Sequence, residues 1–129
     1  MYPLTHHPSP LATQAFYVLL ALSDSELHAY AIKTAITHDS LGGVKISDGQ
    51  LSNLLTRLHN EGLIDMTGLK PTPRTSRLRM HYGISGEGLI RLQEELSRWQ
   101  HAVNLGSRSG LMGNPTPTDI QRIILQTKS

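Results

Sequence analysis

The chain has 129 residues, with 12 Lys and Arg against 10 Asp and Glu, a formal net charge of +2 and no cysteine. That length suits one ordinary domain with a tail, and 38% hydrophobic residues are enough for a packed core. The missing thiols exclude disulfide frameworks, zinc fingers and cysteine nucleophiles, and they are compatible with a reducing cytoplasm, the expected location.

Residues 1–8 read as a flexible arm; "MYPLTHHPSP" lacks the basic-then-apolar order of a signal peptide. Ser9 and Pro10 suit a helix start, and "LATQAFYVLLAL" sets Leu11, Ala15, Val18, Leu19 and Leu22 on one helical stripe, which "SDSE" interrupts. A second helix is expected over "LHAYAIKTAITH", with Leu27, Tyr30, Ala31 and Ile36 facing inward, and "LGG" ends it. "VKI" reads as a short extended piece. Ser47 and Asp48 can cap a third helix, "DGQLSNLLTRLHNE", which Gly62 closes. In it Leu51, Leu54, Leu55 and Leu58 follow the i, i+3, i+4, i+7 spacing of a buried stripe. The opposite face carries Gln50, Asn53, Thr56 and Arg57, with no acid among them.

"LIDMTGL" is then a strand, "KPTPRTS" a loop, and "RLRMHYGI" a second strand. Its period-two alternation puts Leu78, Met80, Tyr82 and Ile84 on one face and Arg77, Arg79 and His81 on the other. Between Asp65 and Glu87 there is no acidic residue, yet Lys70, Arg74, Arg77 and Arg79 fall there, a local basic patch that suits a polyanion. Ser85 caps a fourth helix, in which Leu89, Leu92, Leu96, Trp99 and Val103 are spaced three, four, three and four, the seam of a helix that pairs with another. "GSRSGLMGNPTP" reads as a linker, and Thr118 with Gln121 forms a capping box opening a short helix with Ile120, Ile123 and Ile124. No apolar run approaches the roughly 20 residues that span a bilayer, so no membrane partner is expected.

Three helices followed by a hairpin define a mainly α fold with a small β-hairpin, a winged helix-turn-helix with a C-terminal dimerisation helix. The expected division is an arm at 1–8, a winged-helix DNA-binding domain at 9–84, the dimerisation helix at 85–105, and a linker with a short tail helix at 106–129. In this fold the third helix reads the major groove and the hairpin lies along the phosphates. Asn and Gln suit adenine and Arg suits guanine, while cations on the hairpin add sequence-independent affinity. The expected contacts to double-stranded DNA are Lys45, Ser47, Gln50, Ser52, Asn53, Thr56, Arg57, Lys70, Arg74, Arg77, Arg79 and His81. Leu89, Leu92, Leu96, Trp99 and Val103 are the expected homodimer interface.

Three passages resemble the PadR-like family of transcriptional regulators, in its short members with one C-terminal helix. "LLALSDSELHAYAIK" is similar to the family's "LLxxxxxHGYEI", "SDGQLSNLLTRLHNEGLI" to its "SPGSLYPALKRLEEEGLI", and "HYGISGEG" to its "YYRLTxxG". The resemblance spans residues 11 to about 103 in the family's element order. It implies a homodimeric repressor on a pseudo-palindromic operator, with Trp99 as a platform for a small planar aromatic effector. The chain departs from the pattern at Asp48 (proline in the family), Ser52 (tyrosine) and Gly83 (often basic). The first two departures favour an alternative, a winged helix used for protein association with DNA binding weakened. An enzyme is not expected: the histidines are scattered, and "GGVKISDG" lacks the ending of a phosphate-binding loop. No cofactor is expected, and His6-His7 is not expected to hold a metal.

Overall fold

Four helices and three strands follow one another in the computed structural model, which describes residues 9–111. They are α1 (Thr13–Asp24), β1 (Leu27–His28), α2 (Ala29–Asp39), α3 (Asp48–Asn60), β2 (Ile64–Thr72), β3 (Thr75–Ile84) and α4 (Gly86–Arg108). The arm with His6 and His7 and the short helix expected from Thr118 lie outside the described residues. The chain divides between Glu95 and Leu96 into two compact units, so α1 through β3 and the first part of α4 belong to the first unit.

Apolar spacing decides which helix faces meet. Phe16 and Leu19 of α1, Ile32 and Ile36 of α2, all four leucines of the α3 stripe, Ile64 of β2 and Leu92 of α4 form one core. α2 turns inward on Ile32 and Ile36, not on the expected Tyr30, which is 74% exposed. The expected starts of the first two helices also shift, each for a physical reason. Residues 9–12 precede α1 because their backbone is engaged elsewhere. The Leu11 amide donates to a Glu95 carboxylate oxygen at 3.1 Å, and the Ser9 carbonyl accepts from Arg91. Helix α1 then continues through Ser23 and Asp24. Helix α2 begins at Ala29 because Leu27 and His28 are taken by a strand, pairing with Tyr82 and His81 of β3. The short strand is therefore here and not at "VKI". Val44 is held by the Ser40 hydroxyl, which accepts from its amide at 2.9 Å, and Ile46 is buried in the core, so 44–46 is anchored without a partner strand.

The sheet is three-stranded and antiparallel in the order β1-β3-β2. The hairpin is longer than expected, because most of "KPTPRTS" is strand and only Pro73 and Arg74 form the turn. Pro71 is tolerated because β2 is an edge strand. Register runs Lys70↔Arg79 and Leu69↔Met80, with a bulge at Thr67 between Met66↔Tyr82 and Gly68↔His81. The alternation of β3 is present, but its apolar side reaches the core only at Tyr82 and Ile84. Leu78 (55% exposed) and Leu69 (62%) stay outside the core.

Two caps fix α3 and α4. Gly62 takes φ +78°, the left-handed conformation that closes α3, and the Leu63 amide returns to the Leu58 carbonyl. Ser85 caps α4, its hydroxyl accepting from the Gly88 amide and donating to the Gly62 carbonyl. A side chain at Gly88 would collide with the Leu63 carbonyl oxygen, so α4 can pack here only with glycine at that position. α4 runs three residues beyond the expected Leu105, through Arg108. Leu92, expected in a dimer seam, is 2% exposed and belongs to the core of the first unit, because its helix face is turned onto α1 to α3 and β2. No helix among the described residues is long and apolar enough to cross a membrane.

Candidate nucleic-acid interface

Helix α3 presents two unlike faces because its leucines recur at helical spacing. Leu51, Leu54, Leu55 and Leu58 are buried, which leaves Ser52, Asn53, Thr56 and Arg57 exposed on the far side. Its first turn is a capping box. The Ser47 hydroxyl accepts from the Gln50 amide at 3.1 Å, and the Gln50 side-chain oxygen accepts from the Ser47 amide at 3.0 Å. Both expected contact residues therefore already hold a structural bond. The Thr56 hydroxyl donates to the Ser52 carbonyl, and Arg57 pairs with Glu61 at 3.4 Å. Ser52 and Asn53 side chains form no bond among the described residues, so their hydrogen-bonding groups are open to solvent or to a ligand. Asp48 does not stand alone at the helix start: Lys33 of α2 reaches it at 2.9 Å. That bridge places opposite charge beside the carboxylate the sequence left isolated.

The hairpin divides its cations unequally. Cross-strand pairing puts Lys70, Arg79 and His81 on one face. This face receives Glu26 and His28 from the segment before α2, so it is not the acid-free surface read from β3 alone. Lys70 pairs with Glu26, whose carboxyl is held below its ordinary range chiefly by that hydrogen bond. The His28 and His81 rings lie 5.4 Å apart, and His81 Nδ1 lies 2.9 Å from the Arg79 carbonyl. Burial, then the charges of His81 and Arg79, pushes His28 below its ordinary pKa. Gly83 is buried, and a Cβ there would lie 3.2 Å from the Thr67 methyl and 3.6 Å from Glu26, so the basic side chain common at that position in the resembled pattern would require Thr67 to give way. Lys45, Arg74, Arg77 and Arg79 are exposed and make no ion pair with the described residues. Arg74 and Arg79 border α2 across a groove that also includes Tyr30, Ala31, Thr34 and His38. They face α2 across this groove, while α3 leads into β2, with the Leu63 amide donating to the Leu58 carbonyl.

Sequence reasoning missed Glu26, His28 and Lys33. No local signal marks them, since each partner lies 15 to 53 residues away in the chain. Of the expected seam, Leu89, Leu96, Trp99 and Val103 are exposed large apolar side chains on α4, and Leu92 is inside.

Three helices, a three-stranded sheet with a projecting hairpin, and a capped polar helix in third place define a winged helix-turn-helix protein. The model of the transcriptional regulator PadR-like family matches residues 18–94, and the chain belongs to that family. A PadR-like transcriptional regulator from Bacillus cereus is 28% identical, with 78% of this chain and 92% of that one covered and a TM-score of 0.60. Two others agree in fold. A PadR family transcription regulator from Clostridium difficile is 15% identical, covering 75% and 97% of the two chains with a TM-score of 0.62. The circadian clock associated protein Pex from Anabaena is 19% identical, covering 78% and 87% with a TM-score of 0.56. No curated protein matches the chain. The family consists of transcriptional regulators, not enzymes.

Proposed function

We propose that this PadR-like regulator is a sequence-specific repressor, acting in the cytoplasm as a homodimer on a pseudo-palindromic operator. The carrying observation is the outer face of α3, where Ser52 and Asn53 are exposed and free of internal bonds on a helix locked by its cap. On this reading Asn53 and Ser52 meet base edges, Thr56 and Arg57 meet bases or phosphates, and Ser47 and Gln50 act mainly by holding the helix start. Lys45, Arg74, Arg77 and Arg79 supply phosphate contacts, with Lys70 and His81 contributing less because Glu26 and His28 stand beside them. The exposed stripe of Leu89, Leu96, Trp99 and Val103 supports pairing of α4 with its counterpart, and Trp99 offers a flat surface to a planar aromatic effector. Loss of the homodimer would remove half of the operator contacts.

The neutralised pairs Lys33–Asp48, Lys70–Glu26 and Arg57–Glu61 favour a second reading, a winged helix that binds protein with little affinity for DNA. Selection of bound fragments from random duplex DNA, followed by titration at several salt concentrations, tests the two. A palindromic consensus with an affinity that falls steeply as salt rises supports the repressor. Replacing Arg77 with alanine should then weaken all sequences alike and reduce the salt slope by about 1. Failure to enrich any sequence, with flat salt dependence, would sink it in favour of protein association.

A further inference from the structure

The pairing of β1 with β3 brings two imidazoles together on the cationic face of the hairpin. His28 lies opposite His81 in the register, and their rings are 5.4 Å apart. His81 Nδ1–H donates to the Arg79 carbonyl at 2.9 Å, which leaves Nε2 as the nitrogen that can take a proton. The charges around this pair are mostly positive. β3 contributes Arg79 and, two residues nearer the turn, Arg77, while β2 contributes Lys70 opposite Arg79. Arg74 lines the groove beside His28 from the turn, and Tyr30 and His38 line it from α2. The nearby carboxylates are engaged or turned elsewhere. Glu26 is taken by Lys70, and Asp39 of α2 is engaged by His38 at 3.2 Å. Asp65 sits opposite Gly83, at the end of β2 away from the turn, and Asp24 of α1 borders a separate hollow with Ser25 and Leu41. A charge on the imidazoles therefore has no carboxylate of its own. Burial, and then the charges of His81 and Arg79, hold His28 below its ordinary value of 6.5. An anion brought to this face would oppose the second of those causes.

We propose that the His28–His81 pair is a proton site coupled to the duplex, in which a DNA phosphate at this face of the hairpin supplies the missing counter-charge and the pair takes up one proton on binding. Two imidazolium rings this close repel each other, so the first proton belongs to the pair and the second is disfavoured. The inference rests on the function proposed above and adds a regulation to it. A ligand that favours the protonated form binds more tightly as protons become available, and the same coupling makes the bound pair hold its proton to higher pH. The regulator thus grips its operator harder under acid conditions.

Because phosphate contacts are independent of sequence, the test uses the full chain and a mixed-sequence duplex of about 20 base pairs at low, constant ionic strength. Between about pH 7.5 and about pH 5.5 the affinity should rise by about tenfold, as one linked proton requires. Calorimetry in two buffers of different ionisation heat should show an uptake approaching one proton per chain. His28→Gln should at least halve both the pH slope and the uptake, whereas His101→Gln, on α4, should change neither. The imidazole resonances of the unsubstituted chain should show His28 titrating at higher pH with the duplex than without it, and this measurement decides alone if His28→Gln does not fold. Equal affinity across the pH range, a His28 titration unmoved by bound duplex, or a slope that survives His28→Gln would overturn the coupling and leave the repressor standing. A chain that binds neither this duplex nor any selected sequence at any pH removes the repressor reading and the coupling together.

Discussion

Gly88 and Gln50 show how single positions in this chain are spent on structure rather than on contact with a partner. The Leu63 carbonyl closes against the backbone of α4 at Gly88, and Ile84 lies on the other side, so an added methyl has nowhere to go. Gly88→Ala should destabilise the first unit by about 1–3 kcal/mol, the usual cost of overpacking, read as a lower urea midpoint. An unchanged midpoint would mean the helix start can move aside. Gln50 and Asn53 are both amides of α3 and both were expected to read bases, but only Gln50 closes the cap. Gln50→Ala should therefore lower stability by about 1 kcal/mol. Asn53→Ala should leave stability unchanged and alter the preferred sequence, by about 1–3 kcal/mol at one base pair. Identical effects of the two substitutions on both measurements would contradict that division.

At the scale of elements, the hairpin depends on a two-residue strand. β1 joins β3 through Leu27↔Tyr82 and His28↔His81, and it brings His28 beside His81 and Arg79. Burial and then those charges disfavour the imidazolium, so the folded chain holds this proton less tightly than the ordinary value of 6.5. The unfolded chain then binds more protons in the window just below 6.5. The stability tied to neutral His28 is complete above that value and is lost as pH falls toward the depressed folded value. Glu26, held below its ordinary value by Lys70, stays ionised through this window and titrates further down. The protection of the Tyr82 amide, its exchange rate divided into the intrinsic rate, should fall as pH drops below 6.5, and His28→Gln should remove that fall; a fall that survives it would assign the effect elsewhere. This strand also marks the limit of what the sequence discloses. The stripe of α3 and the caps at Ser47, Gly62 and Ser85 are legible because each signal lies within a turn or two of the residues it positions. Leu27 and His28 read as helix because two residues carry no period, and "VKI" reads as strand because an extended segment looks alike with or without a partner. The basic face of β3 is legible in its alternation, while the Glu26 that neutralises Lys70 arrives from 44 residues away.

For the whole molecule, the net charge of +2 is too small to draw DNA by itself. On the proposed reading, affinity comes from local cations presented twice, and dimerisation is then a condition of binding and not an addition to it. The seam of α4 was read as five residues, and the fold separates them. Leu92 is core, whereas Leu96 is exposed on the same helix one turn further on. A heptad spacing alone could not distinguish them, because one apolar stripe along a helix carries the same period whether its residues are buried or exposed. The two leucines should therefore fail differently. Leu92→Ala should cost about 2–5 kcal/mol of stability, as for other buried leucines. Leu96→Glu buries no charge in the core, so the chain should fold and melt nearly as before while sedimenting as a monomer. Its DNA binding should fall to that of one half-site and depend on protein concentration with a steeper, two-step curve, since pairing must now occur on the operator. A Leu96→Glu chain that still sediments as a dimer would move the interface off this stripe, and Trp99 would lose its place as an interfacial effector platform with it.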